Sequence, residues 1–360
     1  MYPLAEGCFA PKNQWYIAAW SHEVTRDAME RWVLDEPIAF YRTESGQAVA
    51  LQGRCPHRHF PLGKSRVVGD AIECLYHGIT FDQQGECVRI PSQDMIPKSC
   101  RVKAYPVVER WQWLWIWMGD PMLADESLIP DHHAIGLTDP DYQVDAGTYF
   151  EVPGRYMLMH DNLFDLTHLG FLHKTSIGAG DFGTVDEIRD NGSNWISSDR
   201  VFNGIECPAL YADIFDYHDT IDRRFGMKLY LPCLHVGYDH FFRADDGRPD
   251  DERLLGKVGV YHAITPATKH TAHYFFVAGR TFHTSDTEFG KKMLDGLRAV
   301  IDEDLIATRE IETMLTRKDD ELPAEVLLKA DATCVRGRRL FEDLIRKEQD
   351  NGASVSAAKR

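Results

Sequence analysis

Between Trp15 and about Asp120, apolar residues come in short runs separated by turn formers: QWYIAAW, PIAFYR, AVALQG, ITFDQQGEC, YPVVER and WQWLWIWMGD. Runs of that length, broken by glycine, proline and aspartate, predict the strands of small sheets rather than alternating strand and helix. The passage GDPMLADESLIPDHHAIGLTDPDYQ interrupts the rhythm and is the candidate domain boundary. Beyond it the pattern is mixed. A helical stretch is expected around RYMLMHDNLFDLTHLGFLH. Strand-like segments follow at FGMKLYLPCLHVGY, KVGVYHAIT and AHYFFVAGR, and a long helix from about Glu288 to Arg317. The expected class is α+β: an all-β amino-terminal domain over 1–125, a larger domain over 126–350 with an antiparallel sheet and helices on one side, and a flexible tail over 351–360.

Composition narrows the setting. The 360 residues, 44% hydrophobic and 27% charged, suffice for two domains with real cores. No basic segment followed by an apolar run opens the sequence, and no apolar stretch approaches the ~18 residues of a membrane span. The expectation is a cytoplasmic protein without membrane contact. A formal net charge of −16 argues against nucleic acid, which needs a lysine and arginine surplus. Eight cysteines without the regular spacing of a secreted scaffold predict reduced thiols, some kept for metal.

Metal chemistry is suggested first by CPHRHFPLGKSRVVGDAIECLYHG. Cys55 and His57 are one residue apart, Cys74 and His77 two apart, and sixteen residues separate the pairs. Each pair can close as a pincer from one loop. A structural zinc is the alternative, although paired zinc loops more commonly use Cys-x2-Cys. One histidine in each of two cysteine pairs is what a Rieske [2Fe-2S] cluster requires, with two thiolates on one iron and two imidazoles on the other.

A second set lies in HDNLFDLTHLGFLHK. Asn162, Asp165 and His168 step by three along a helix, while His173 is five residues beyond His168, about 140° away on regular helix. Gly170 can end or distort the helix so that His173 swings back. Two histidines and a carboxylate make a facial triad that leaves positions open on Fe(II). Asp165 is the local candidate for the carboxylate.

Together CPHR, CLYHG with the following TFD and GEC, and the Asn-x2-Asp-x2-His-x4-His pattern resemble the Rieske non-haem iron oxygenases. The domain order and NQWYIAAWSHEV are similar to the oxygenase components of vanillate and dicamba O-demethylases. The resemblance implies a catalytic domain whose third iron ligand comes from the carboxy-terminal helix. There the apolar stripe Phe289, Met293, Leu297, Val300 continues through Asp304, Thr308, Ile311 and Leu315, so Asp304 interrupts a buried face where a bare carboxylate is costly. Asp304 is therefore the expected ligand, and Asp302 and Glu303 are expected as solvated charges. Asp165 would then hydrogen-bond the outer N–H of His168 and meet His77 of the partner subunit in a head-to-tail homotrimer. Asn162 would contact water or oxygen near the iron.

The resemblance further implies O2 as co-substrate and NAD(P)H electrons through a separate flavin reductase, a ferredoxin, or both. No Gly-x-Gly-x2-Gly fingerprint is present to bind the nucleotide in this chain. The expected reaction is monooxygenation of an aromatic, acidic small molecule, by O-demethylation or hydroxylation. Ring dihydroxylation and N-demethylation are the alternatives within the family. A non-catalytic Rieske electron carrier is the alternative outside it, and would need only the first metal set. His262 occupies a position resembling a substrate-facing histidine, and Tyr156 and His160 are further candidates for the pocket wall.

Overall fold

The computed structural model describes residues 9–174, 177, 182–316 and 324–358, with backbone only at 210 and 351–358. The chain divides into two units: Phe9–Ile129 with Thr265–Lys269, and Pro130–Ile264 with His270–Arg360. That five residues from far along the chain join the first unit has no local signal in the sequence.

The first unit is all β. Its strands are β1 (Trp15–Trp20), β2 (Met29–Val33), β3 (Glu36–Arg42), β4 (Ala48–Gln52), β5 (Arg66–Val68), β6 (Ala71–Glu73), β7 (Thr80–Phe81), β8 (Cys87–Arg89), β9 (Val107–Arg110) and β10 (Trp113–Trp117). They form sheets in the orders β1-β10-β9, β2-β3-β4 and β5-β6-β7-β8. WYIAAW and WLWIW are buried at every position, which is why they read as continuous apolar runs instead of alternating ones. A second core of Tyr41, Leu51, Ile72 and Phe81 includes the side chains of Cys55 and Cys74.

The second unit is built on an eight-stranded sheet. Its strands are β11 (Gln143–Val144), β12 (Thr148–Val152), β13 (Ile188–Asn191), β14 (Trp195–Glu206), β15 (Thr220–Tyr230), β16 (Leu234–Arg243), β17 (Leu254–Thr268) and β18 (Thr271–Arg280). The order is β11-β18-β17-β16-β15-β14-β13, with β12 also on β18. Pairings from β13 through β17 are antiparallel, so the α+β class holds. FGMKLYLPCLHVGY is two strands of a hairpin rather than one, broken at Leu231-Pro232 because proline has no N–H for a ladder.

Three helices matter for the site: α1 (Tyr156–Phe164), α2 (Thr287–Thr316) and α3 (Ala332–Ala358). The buried stripe of α2 follows the expected positions from Met293 to Thr308, but Ile311 is 45% exposed and Glu312 takes its place. Glu312 can be buried because Arg155 and His270 both bond its carboxylate. The segment expected as a flexible tail continues α3 as far as Ala358, since 351–358 has no proline to break the backbone ladder.

Candidate functional site

The two loops that carry the first cysteine and histidine pairs have the same backbone plan. Cys55 N–H donates to Phe60 O and His59 N–H to Cys55 O, at 3.0 and 2.9 Å; Cys74 N–H donates to Ile79 O and Gly78 N–H to Cys74 O, both at 2.8 Å. Four residues after each cysteine the chain turns through positive φ, at His59 (58°) and Gly78 (70°). Each thiol is thereby held in the core while the imidazole leaves it. Cys55 and Cys74 are 1% exposed, and the exposed His57 and His77 rings lie 4.5 Å apart. Burial, and the nearby Cys74, push the Cys55 thiol up to about 11. Two such thiolates are stable side by side only with positive charge between them. Two buried sulfurs and two neighbouring exposed imidazoles supply the donor types a Rieske cluster takes.

The second set comes together from α1, the turn after it and α2. Helix α1 does not run through the whole motif. It stops at Phe164; Asp165 leaves helical geometry (φ −81°, ψ 81°), and a tighter turn runs over Leu166–Gly170. The Asp165 carboxylate caps that turn, accepting from Thr167 N–H at 3.1 Å and Thr167 Oγ1 at 2.5 Å. The expected carboxylate bond to His168 is therefore made differently: His168 Nδ1 donates to the backbone carbonyl of Asp165. After Gly170 the chain turns, and His173 comes to a ring-centroid distance of 5.1 Å from His168.

Asp304 closes the set. Its Oδ1 is 3.0 Å from His173 Nε2 and 3.6 Å from His168 Nε2, and one ligand atom from each of the three residues lies within 4.8 Å of the others. Asn162 Nδ2 donates to the same Oδ1 at 2.9 Å, so the amide steadies the carboxylate. Glu303 is not simply a solvated charge. Its Oε2 accepts from His173 Nδ1 at 2.6 Å, and only Asp302 of the pair is fully exposed. Both imidazoles are thus held from behind by an acceptor, which puts the proton on Nδ1 and leaves Nε2 as the lone pair facing Asp304. Two neutral imidazoles and one carboxylate converging in this way fit a mononuclear Fe(II). Burial opposes charge on His173, but the carboxylates of Asp304 and Glu303 outweigh it and raise its pKa.

These groups open into a cavity of about 90 Å³, roofed by α1 and α2 and floored by one face of the sheet. Its wall is mainly apolar, with Leu166, Phe225, Val258, Phe276 and Ile301 among the lining residues. His262 lines it; His262 Nδ1 is bonded to Tyr274 Oη at 2.5 Å, and its buried Nε2 has no partner among the described residues. Tyr156 and His160 do not line it. They lie one turn apart on α1, about 200° (His160) and 240° (Tyr156) round from Asn162, and pack against Phe341 of α3 and, for His160, His235 of β16. Sequence reasoning missed Arg223 and Asp239, a buried ion pair in the cavity wall. Their alternating positions on strands were visible, but nothing local says which face of which strand reaches the site.

The fold and the two sets of donors define a two-domain iron oxygenase. Residues 14–106 match the Rieske [2Fe-2S] domain, and residues 152–347 match the vanillate O-demethylase oxygenase C-terminal domain. The chain is 33% identical over 350 residues to the iron-sulfur subunit of a toluene-4-sulfonate monooxygenase system of Comamonas testosteroni, covering 96% of this chain and 99% of that protein. It is 31% identical over 341 residues to the oxygenase component of dicamba O-demethylase of Stenotrophomonas maltophilia, covering 92% and 97%. The crystal structure of dicamba monooxygenase bound to 3,6 dichlorosalicylic acid matches with a TM-score of 0.85 at 30% identity, over 94% of this chain and 98% of that one. The chain belongs to the Rieske non-haem iron oxygenases, with a vanillate O-demethylase-type catalytic domain. Among the described residues no helix is long and apolar enough to cross a membrane.

Proposed function

We propose that the chain is the terminal oxygenase of a multicomponent system, using O2 to monooxygenate an aromatic small molecule by O-demethylation or hydroxylation. The observation that carries this reading is the convergence of His168, His173 and Asp304 on one side of an apolar cavity, in a chain that also carries a Rieske domain. Cys55, His57, Cys74 and His77 would hold the cluster, and His168, His173 and Asp304 the mononuclear iron; bound there, the two groups supply stored electrons and a place for O2 to be activated.

The chain's own residues set the conditions for that chemistry. The Asp165 carbonyl and Glu303 fix the tautomers of His168 and His173, and Asn162 holds Asp304 in place. Apolar side chains keep water from the reacting carbon. Burial keeps His262 neutral by lowering its pKa to about 4, so its Nε2 is a hydrogen-bonding group for substrate rather than a charge.

Electrons would come from NAD(P)H through a separate reductase, a ferredoxin, or both. The working assembly would be a cytoplasmic homotrimeric ring in which Asp165 meets His77 of the partner subunit. Formaldehyde release from a panel of methoxylated aromatics, dependent on NADH, reductase and oxygen, tests the reading. Formation of cis-diols instead would assign ring dihydroxylation, and oxygen-independent cluster turnover alone would assign electron carriage.

A further inference from the structure

Two cysteines that the cluster does not need face each other in the first unit. Cys87 opens β8, and Cys100 lies on a segment that runs past it in the opposite direction. Successive rungs fix the register. Val102 N–H donates to Gly85 O at 2.9 Å, and Glu86 pairs with Arg101 across an antiparallel bridge. The next rung therefore sets Cys87 opposite Cys100. Gly85, at φ 79°, lets the two backbones close, since a Cβ there would overlap Val102 O.

Side chains alternate between the faces of such a pair. Glu86 and Arg101 meet on the outer face, where Arg101 Nη2 bonds a Glu86 carboxylate oxygen at 2.7 Å and both side chains are more than half exposed. Cys87 and Cys100 consequently point the other way, and both pack, partly buried, against the core that contains Cys55 and Cys74. Their thiols are close enough to hydrogen-bond each other. Directly opposed residues of an antiparallel pair have Cα atoms about 4.5–5.5 Å apart, inside the span of about 4.4–6.8 Å that a disulfide bridges. Between the two cysteines runs a loose loop. Every residue from Pro91 to Ser99 is exposed, and backbone bonds there are local, from Gln93 N–H to Ile90 O and from Cys100 N–H to Pro97 O. The loop begins against the second cysteine and histidine loop, because Pro91 Cγ lies 2.9 Å from where a Cβ on Gly78 would be.

We infer that Cys87 and Cys100 form a reversible disulfide, made by hydrogen peroxide and undone by a dithiol, that closes the 88–99 loop. One of the two sulfurs, as thiolate, attacks the peroxide: an S–O bond forms, the O–O bond breaks, and the hydroxide released takes up the thiol's proton and leaves as water. The other thiol then attacks the sulfenic acid, forming the S–S bond and releasing a second water. Two thiols lose two electrons in all, and one peroxide gains them. Peroxide arises wherever O2 takes up two electrons and two protons without reaching substrate, a side reaction open to an oxygenase of the proposed kind. The pairing itself does not depend on that reading. In a reducing compartment such bonds are transient and report on oxidation.

The test treats cluster-loaded protein with hydrogen peroxide in small excess, blocks the remaining free thiols with N-ethylmaleimide, and maps peptides without reduction. A linked peptide joining Cys87 to Cys100 is expected, and dithiothreitol added before blocking should abolish it. The buried Cys207, Cys233 and Cys334 should stay unlinked. Hydrogen exchange over residues 88–99 should slow by roughly tenfold or more in the oxidised protein, because the closed ring removes freedom from the open loop. Cys87→Ser and Cys100→Ser, each checked for an unchanged Rieske absorbance, should show neither the linked peptide nor the slowing. The wild-type map decides the inference even if a serine variant loses its cluster. Both cysteines recovered as free thiols or as sulfonic acids, linkage of either to another cysteine, or unchanged exchange in the linked protein overturns it. No substrate or turnover enters the measurement, so its failure leaves the monooxygenase reading where it stands.

Discussion

Glu303 Oε2 accepts a hydrogen bond of 2.6 Å from His173 Nδ1, on the opposite edge of the ring from Nε2, which lies 3.0 Å from Asp304 Oδ1. Two adjacent acids on α2 thus hold one imidazole from both sides. Removing the outer one should cost metal affinity without touching the inner ligand set. Glu303→Ala is expected to weaken mononuclear iron binding by about 10–100-fold, with Glu303→Gln intermediate. Iron retained after dialysis against a chelator measures this, and the Rieske absorbance should be unchanged in both. Iron retention equal to wild type would make Glu303 a surface charge after all.

The three residues proposed to hold the mononuclear iron should behave alike. His168→Ala, His173→Ala and Asp304→Ala are each expected to lose the mononuclear iron and all turnover while the Rieske spectrum persists, because a facial triad has only three protein ligands. Full iron occupancy in Asp304→Ala would move the carboxylate role elsewhere.

Asp165 is expected to matter for more than its cap. Asp165→Asn keeps an oxygen for Thr167 N–H, and the carbonyl that accepts from His168 is untouched. Both metal centres should therefore remain loaded. Turnover should nonetheless collapse if the charge couples the two centres between subunits. In stopped flow, the reduced cluster would stay reduced after oxygen and substrate are added. Normal reoxidation would leave Asp165 as a turn former only.

Acid should weaken the fold through its buried histidines. Burial lowers His160 to about 3 and His262 to about 4, from an ordinary value of 6.5. Below pH 6.5 the unfolded chain binds protons that the folded one refuses, so stability falls as pH falls. For each of these two groups the loss between pH 7 and 5 is about 2 kcal/mol. The thermal midpoint should drop over that interval, and drop less in His262→Gln, which has nothing to titrate there. An identical drop in the variant would refute the assignment.

The two candidate donor sets are legible in the sequence to different degrees, for physical reasons. Cys55, His57, Cys74 and His77 lie on short loops, where ligand spacing alone specifies a pincer. His168 and His173 were likewise local. Asp304 is singled out because an acid in an apolar stripe stands out, and the structure places it beside His168 and His173. Glu303 was misread because the same stripe argument places it off the buried face, and only the position of His173 gives it a partner. Tyr156 and His160 failed for the complementary reason: sharing a helix with Asn162 does not mean sharing its face. The α1 break at Asp165 was hidden because helix period and turn capping use the same residues. Arg223 and Asp239 depend on strand order and register, which no local pattern carries.

The most direct test of the account is a single turnover. Protein with both iron sites loaded is reduced chemically, freed of reductant, mixed with a methoxylated aromatic it binds, and exposed once to oxygen. The account predicts formaldehyde appearing as the Rieske cluster reoxidises, and none from Asp304→Ala protein with an intact cluster. Cluster reoxidation without product in the loaded wild type, or equal formaldehyde from the Asp304 variant, would contradict it.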